Sequence, residues 1–311
     1  MRILLAFALF FYFGTSVTAG NNTMRIGIFD GEEPKAIILS PTYGDYEIIA
    51  DGVQILTLTK LQQVQVISEN GNLLLKQSKK SLGTYKKVYI KRKTWGASIK
   101  LKPSIPSRIA HEYSDNITVT PYGSRLKIIN TVYIEHYIAG VIEAEAGSKQ
   151  NLEYYKVQAI ICRTYALSNK RRHANEGFQL CDKVHCQVYH NKSRSNPDII
   201  AATNETKGTV IVDSDINLIT AGFHSNCGGE TINSEDAWRY PVPYLKAVCD
   251  TFCSDMPHAD WTKTIATKDW LSYLEKNYDY PTSDSLYLWC ALDHFPEKRE
   301  LNLNYLDSSI T

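Results

Sequence analysis

The stretch SRLKIINTVYIEHYIAGVIEAEAGSKQNLEYYKVQAIICRTY, residues 124–165, decides the fold class. An extended apolar run reaching Ile134 leads into a helix in which Tyr137, Ile138, Val141 and Ile142 recur at helical spacing. Gly147 supplies its stop. The spacing predicts a second helix over Leu152–Ser168, its apolar residues interrupted by Arg163. Strand signal followed by helices, with no regular β–α alternation, reads as α+β with mixed β-sheets and a few helices, not as a doubly wound parallel sheet.

Upstream, residues 24–122 read as mostly β. Short runs at Arg25–Phe29, Ala36–Leu39, Tyr46–Ile49, Gln54–Leu58 and Gln63–Ile67 are separated by Gly, Asn and Pro. Asn70-Gly71 is a tight-turn dipeptide. Lys100–Arg108, with Pro103 and Pro106, reads as an extended connector. Downstream, Gly208–Asp213 and Leu218–His224 read as a return to β, and Lys268–Lys276 as a last helix. The expected organisation is an export signal over 1–19, a β-rich part over 24–122, a core carrying the chemistry over 123–250 and an extension of open role over 251–311.

The chain has 311 residues, 43% hydrophobic and 22% charged, with formal net charge +1. That balance argues against a dedicated nucleic-acid binder, which shows a basic stripe; Lys86–Lys93 and Lys170–Arg172 read first as solvated surface. Arg2, the apolar run Ile3–Phe13 and Val17-Thr18-Ala19 together resemble a cleavable export signal. A periplasmic or extracellular location follows, with membrane attachment only if the signal stays uncleaved. Seven cysteines, Cys162, Cys181, Cys186, Cys227, Cys249, Cys253 and Cys290, leave at least one unpaired.

Glu145 is the leading catalytic candidate. Residues two apart on a helix point about 200° away from each other, so Glu143 and Glu145 form no dyad. Glu145, three and four residues after Ile142 and Val141, lies nearer the apolar stripe. Two readings stand: a buried structural Glu paired to Arg163, or an acid sheltered enough to hold a proton for a glycosidic bond. Cys181-Asp182-Lys183-Val184-His185-Cys186-Gln187-Val188-Tyr189-His190 packs two thiols and two imidazoles into ten residues. Cys181, His185 and Cys186 suit zinc, with His173 or His190 completing four; a Cys181–Cys186 disulfide is the alternative. His224–Thr231 is polar and glycine-rich, either a ligand loop or a hairpin turn. Trp238, Tyr240 and Tyr244 are sugar-stacking surfaces or core. Cys249 and Cys253 would close a local disulfide or pair with Cys227 or Cys290.

Taken in order, these elements resemble the SpoIID/LytB family. Its strand, then Y-[L/I]-x-G-V-[V/I]-x-x-E-M, then Q-A-x-A-x-R-T-Y, correspond to Tyr137–Ala146 and Gln158–Tyr165. C-D-x-x-H-C-Q-x-Y corresponds to Cys181–Tyr189, and H-S-x-C-G-G-x-T to His224–Thr231. The resemblance implies a SpoIID-like groove and a peptidoglycan lytic transglycosylase that leaves a 1,6-anhydro-MurNAc end, with Glu145 as acid and then base. It implies Arg163, Gln187, Tyr189, Ser225, Gly228 and Gly229 along the groove, and zinc, catalytic or structural, on Cys181, His185, Cys186 and His173. Peptidoglycan glycan strands are the implied partner, with a cell-wall amidase as a further one. The implied rival from another class is a non-catalytic, wall-binding amidase enhancer. Ala146 stands in place of the family's Met and Gly147-Ser148 in place of its Pro, which should loosen the loop after Glu145.

Overall fold

A computed structural model describes residues 22–190, 196–238, 240–256, 258–260 and 262–293, together with the backbone of 303–305 and 308–310. The expected export signal and Trp261 lie outside the described residues. Among the described residues no helix is long and apolar enough to cross a membrane. The chain packs into two compact units, Met1–Gly222 and Phe223–Thr311.

The first unit is α+β. Its strands are β1 (Thr23–Ile28), β2 (Ala36–Tyr43), β3 (Tyr46–Ala50), β4 (Val53–Leu58), β5 (Val64–Glu69), β6 (Asn72–Gln77), β7 (Lys80–Tyr85), β8 (Val88–Arg92), β9 (Ser98–Ile105), β10 (His111–Ser114), β11 (Asn116–Tyr122), β12 (Arg125–Tyr133) and β13 (Leu180–Cys181). One sheet runs β13-β1-β12-β11-β8-β3-β4 and the other β10-β9-β2-β5-β6-β7. All pairings are antiparallel except β1 with β13.

Local chemistry explains much of this. The turn between β5 and β6 puts Asn70 and Gly71 at φ 50° and 71°, the double positive φ that suits a two-residue hairpin. Along β12 every second residue is buried: Leu126, Ile128, Asn130 and Val132. Asn130 is tolerated on that apolar face because its amide donates to the carbonyls of Ser114 and Asn116, at 2.8 and 3.0 Å, and accepts from the Tyr189 hydroxyl at 3.1 Å. Lys100–Arg108 is not a connector. Ser98–Ile105 is a strand inside the second sheet, bonded to β2 and β10. Pro103 lacks an N–H to donate, but its flanking residues carry the pairing.

Helices α1 (Ile134–Ala146), α2 (Leu152–Ser168) and α3 (Pro197–Glu205) complete the unit. Tyr137, Ile138, Val141 and Ile142 of α1 and Tyr155, Ala159, Cys162 and Ala166 of α2 are buried with the sheet residues in one core. Each large apolar side chain so buried contributes about 1.5–3 kcal/mol. Gly147, at φ 70°, ends α1, and the Asn151 side chain caps α2 by accepting the Tyr154 N–H at 2.8 Å. Over residues 208–224 the expected β return reduces, among the described residues, to one isolated bridge, Val212 to Leu218. Arg163 and Thr164 bond the main chain at Thr209 and Ile211 instead.

The second unit has helices α4 (Ser234–Trp238), α5 (Thr267–Tyr278) and α6 (Ser285–Asp293), and a ribbon of β14 (Leu303–Tyr305) with β15 (Ser308–Ile310). Its buried cluster is small: Leu274, Tyr280, Cys290 and Ala291.

Candidate functional site

Arg163 is 1% exposed. Its Nε and one Nη donate to the Glu135 carboxylate at 3.2 and 2.5 Å. The remaining donors reach the carbonyls of Ala159, Thr209 and Thr203. All five guanidinium hydrogens have acceptors, so the side chain is spent on the fold. It ties the start of α1 to α2, α3 and the segment after them. Arg163 is therefore committed to the fold, and its partner is Glu135, not Glu145. That pairing removes the structural explanation for Glu145. Glu135 is the residue missed by the sequence reading; the one available signal was an acid in the first turn of a helix, where a negative charge is favoured.

Glu145 sits in the last turn of α1 and is exposed. The expected shelter beside the apolar stripe is absent: burial on α1 stops at Ile142, Glu143 is half-buried, and the helix is leaving the sheet. One oxygen of Glu145 accepts the Val188 N–H at 2.8 Å. Its charge is felt inward, since burial first and the Glu145 charge second push the Cys162 thiol up to about 12. The loop after Glu145 is pinned, not loose. The Tyr155 hydroxyl donates to the Gly147 carbonyl and accepts the Gln150 N–H, both at 3.0 Å.

Val188 closes the segment that carries the thiols and imidazoles. β13 places Cys181 beside Gly27 of β1, where any Cβ would meet the Phe178 ring at 2.7 Å. The donor atoms of His173, Cys181, His185 and Cys186 all lie within 4.8 Å of one another. Cys186 Sγ is 3.4 Å from His173 Nε2, and His185 Nδ1 is 3.7 Å from both sulfurs. A tetrahedral ion about 2.3 Å from sulfur and about 2.0 Å from nitrogen sets such S···N distances at about 3.5 Å. The Cys186 thiol, donating to Cys181, holds the Cys181 sulfur far below the usual thiol range, with His185 and His173 assisting; the same bond pushes Cys186 up. His173 turns its Nδ1 to the Glu176 carboxylate at 2.6 Å, a partner that fixes the ring for a ligand on Nε2. The residues present thus fit a zinc ion closed by four protein ligands. His190 is the unneeded alternative; its carbonyl instead meets His111 Nδ1 at 2.6 Å.

Gln187 and Tyr189, expected along the groove, are buried. The Gln187 amide accepts the Tyr137 hydroxyl at 3.1 Å and donates to the Cys162 carbonyl at 3.3 Å. The Tyr189 ring packs on Tyr137 and Tyr113. Both anchor the Val188 loop from beneath. Ser225, Gly228 and Gly229 fall in the second unit. There Gly228 and Gly229 take φ 69° and 98°, and the Gly228 N–H bonds the Asn226 side chain at 2.7 Å. Trp238, Tyr240 and Tyr244 are exposed and form no core.

Residues 122–212 match the family model described as SpoIID, Stage II sporulation protein. An uncharacterized protein of Brachyspira hyodysenteriae (strain ATCC 49526 / WA1) is 26% identical over 262 residues, 84% of this chain and 65% of that one. Stage II sporulation protein D of Bacillus subtilis (strain 168) is 25% identical over 205 residues, 59% of this chain and 60% of that one. The amidase enhancer of the same organism is 31% identical over 182 residues, 56% of this chain and 24% of that one. The chain spans less than two thirds of the length of each of these relatives. The matched segment contains Glu145, Arg163 and the four metal-site residues, and ends before Ser225.

Proposed function

We propose that this chain, a member of the SpoIID family, acts on the bacterial cell wall as an exported lytic transglycosylase that cuts peptidoglycan glycan strands. Glu145 is the acid and then the base. Its carboxyl would protonate the glycosidic oxygen; the resulting carboxylate would take the proton from the 6-hydroxyl of the same N-acetylmuramic acid as that oxygen closes on C1. Proton balance is restored within one cycle, and no water is activated.

The observation that carries the reading is the hydrogen bond from the Val188 N–H to Glu145. It holds an exposed carboxylate, without an ion pair among the described residues, against a loop that carries the thiol–imidazole quartet and is anchored by buried Gln187. Zinc on that quartet would cross-link the loop, because four protein ligands leave no open coordination position. The Glu145 carboxyl is exposed in the free protein. A bound glycan must therefore supply the shelter that the free protein lacks, by excluding water from α1's last turn.

The second reading, a wall-binding amidase enhancer without turnover, draws on that exposure and on the 31% identity to the amidase enhancer. Peptide-free glycan strands digested with wild type and with Glu145→Gln, followed by mass spectrometry for 1,6-anhydro ends, separate the two. Release by wild type alone supports the enzyme. Equal release by both moves the acid elsewhere, and release by neither, with sacculus binding retained, leaves the enhancer.

A further inference from the structure

Residues 223–260 have almost no core. Among those described, only Cys227 and Ser234 are buried, while Trp238, Tyr240, Tyr244 and Phe252 are exposed. A stretch of this size that buries so little needs a covalent or metal staple to hold one shape. A short ladder brings its two ends together. Thr231 N–H donates to the Val248 carbonyl at 3.0 Å, Asp250 N–H to the Gly229 carbonyl at 2.9 Å, and Glu230 bridges Cys249. Just past the ladder's end stand two thiols. The Cys227 N–H points at Cys253 Sγ, 3.4 Å away, and both sulfurs lie within 4.8 Å of each other and of the Asp250 carboxylate. The Asn226 side chain donates to the Cys253 carbonyl at 2.9 Å, fixing the same approach.

We propose that Cys227 and Cys253 are a disulfide pair that staples the glycine turn to the 250–253 segment and closes the loop carrying Trp238, Tyr240 and Tyr244. A metal is the poorer occupant. Unlike the quartet of the first unit, this cluster has no imidazole, and one Asp250 oxygen already caps the Phe252 N–H. Cys249 is excluded as a partner: it sits on the ladder opposite Glu230 and is exposed.

The chemistry needs an oxidant of the disulfide class, such as glutathione disulfide. The Cys227 thiol and the N–H groups of Gly229 and Cys227 favour a thiolate on Cys253. That thiolate attacks one sulfur of the oxidant and displaces one thiolate. Cys227, whose Sγ lies 3.6 Å from the Asp250 carboxylate, gives up its proton there and attacks the Cys253 sulfur. The second thiolate then leaves. Two electrons and two protons pass to the oxidant, which becomes two thiols.

The test uses the full chain equilibrated in a reduced/oxidised glutathione buffer, denatured with a chelator and alkylated without and then with reductant. Of the seven cysteines, five should react before reduction and seven after, and peptide mapping should join Cys227 to Cys253. In Cys253→Ser all six remaining thiols should react at once. Trypsin cleavage after Lys246 should quicken about tenfold or more on reduction, a readout that needs no variant to fold. Seven reactive thiols without reductant, a link through Cys249 or Cys290, or a second bound metal lost in Cys253→Ser would overturn the pairing. None of these readouts depends on glycan cleavage.

Discussion

Two loops in this molecule carry clustered cysteines, and they are held in place differently. The 173–189 loop lies on a large core. β13 adds Cys181 to a sheet, Gln187 and Tyr189 are buried under it, and the Arg163–Glu135 pair braces the helices below. The 227–253 loop buries almost nothing among its described residues and hangs on a short ladder with two thiols at its end. Where burial is plentiful, sulfur and imidazole can be aimed at a ligand; where it is scarce, sulfur must serve as the support.

The sharpest break of that contrast comes at Glu145. Glu145→Gln should cut anhydro-product release by about 10²-fold or more while changing stability by no more than about 0.5 kcal/mol, because the side chain is exposed and bonds only the Val188 N–H among the contacts described. Arg163→Met should do the opposite. Leaving Glu135 buried and unpaired costs about 3–5 kcal/mol, read as a shifted denaturant midpoint. Glu135→Gln added to Arg163→Met should recover part of it.

Metal content gives the next test. Wild type should hold about one equivalent of zinc, lost in Cys186→Ser and on acidification, since the ligands must be deprotonated. Cys227→Ser should keep that equivalent. Metal-free protein with a Cys181–Cys186 disulfide would show that both loops use sulfur in the same way. Glu176→Gln, which takes the carboxylate from behind His173, should weaken zinc about 10- to 100-fold without removing a ligand. The smallest effect belongs to Cys227→Ser on the first unit, whose unfolding should move by less than about 0.5 kcal/mol.

The helix that carries Glu145 and the one after it were legible in sequence, because apolar spacing, Gly147 and Asn151 are local signals. The clustering of the quartet was legible too, since three of its four side chains fall within six residues. Its fourth was ambiguous between His173 and His190 until β13 paired with β1. The groove residues Arg163, Gln187 and Tyr189 were misplaced, because a motif position does not reveal whether a polar side chain points to a ligand or into a core. Lys100–Arg108 was misread because its prolines masked a strand that only its two neighbours specify.

Sequence alone determined which residue types stand together: the acid at the end of a short helix, the thiols and imidazoles ten residues wide, the glycines after Cys227. Only tertiary structure decided which of them are free to act. Ion pairing and burial are non-local, and it took α1, α2 and α3 coming together to commit Arg163 to Glu135, while the carboxylate of Glu145 accepts the Val188 N–H.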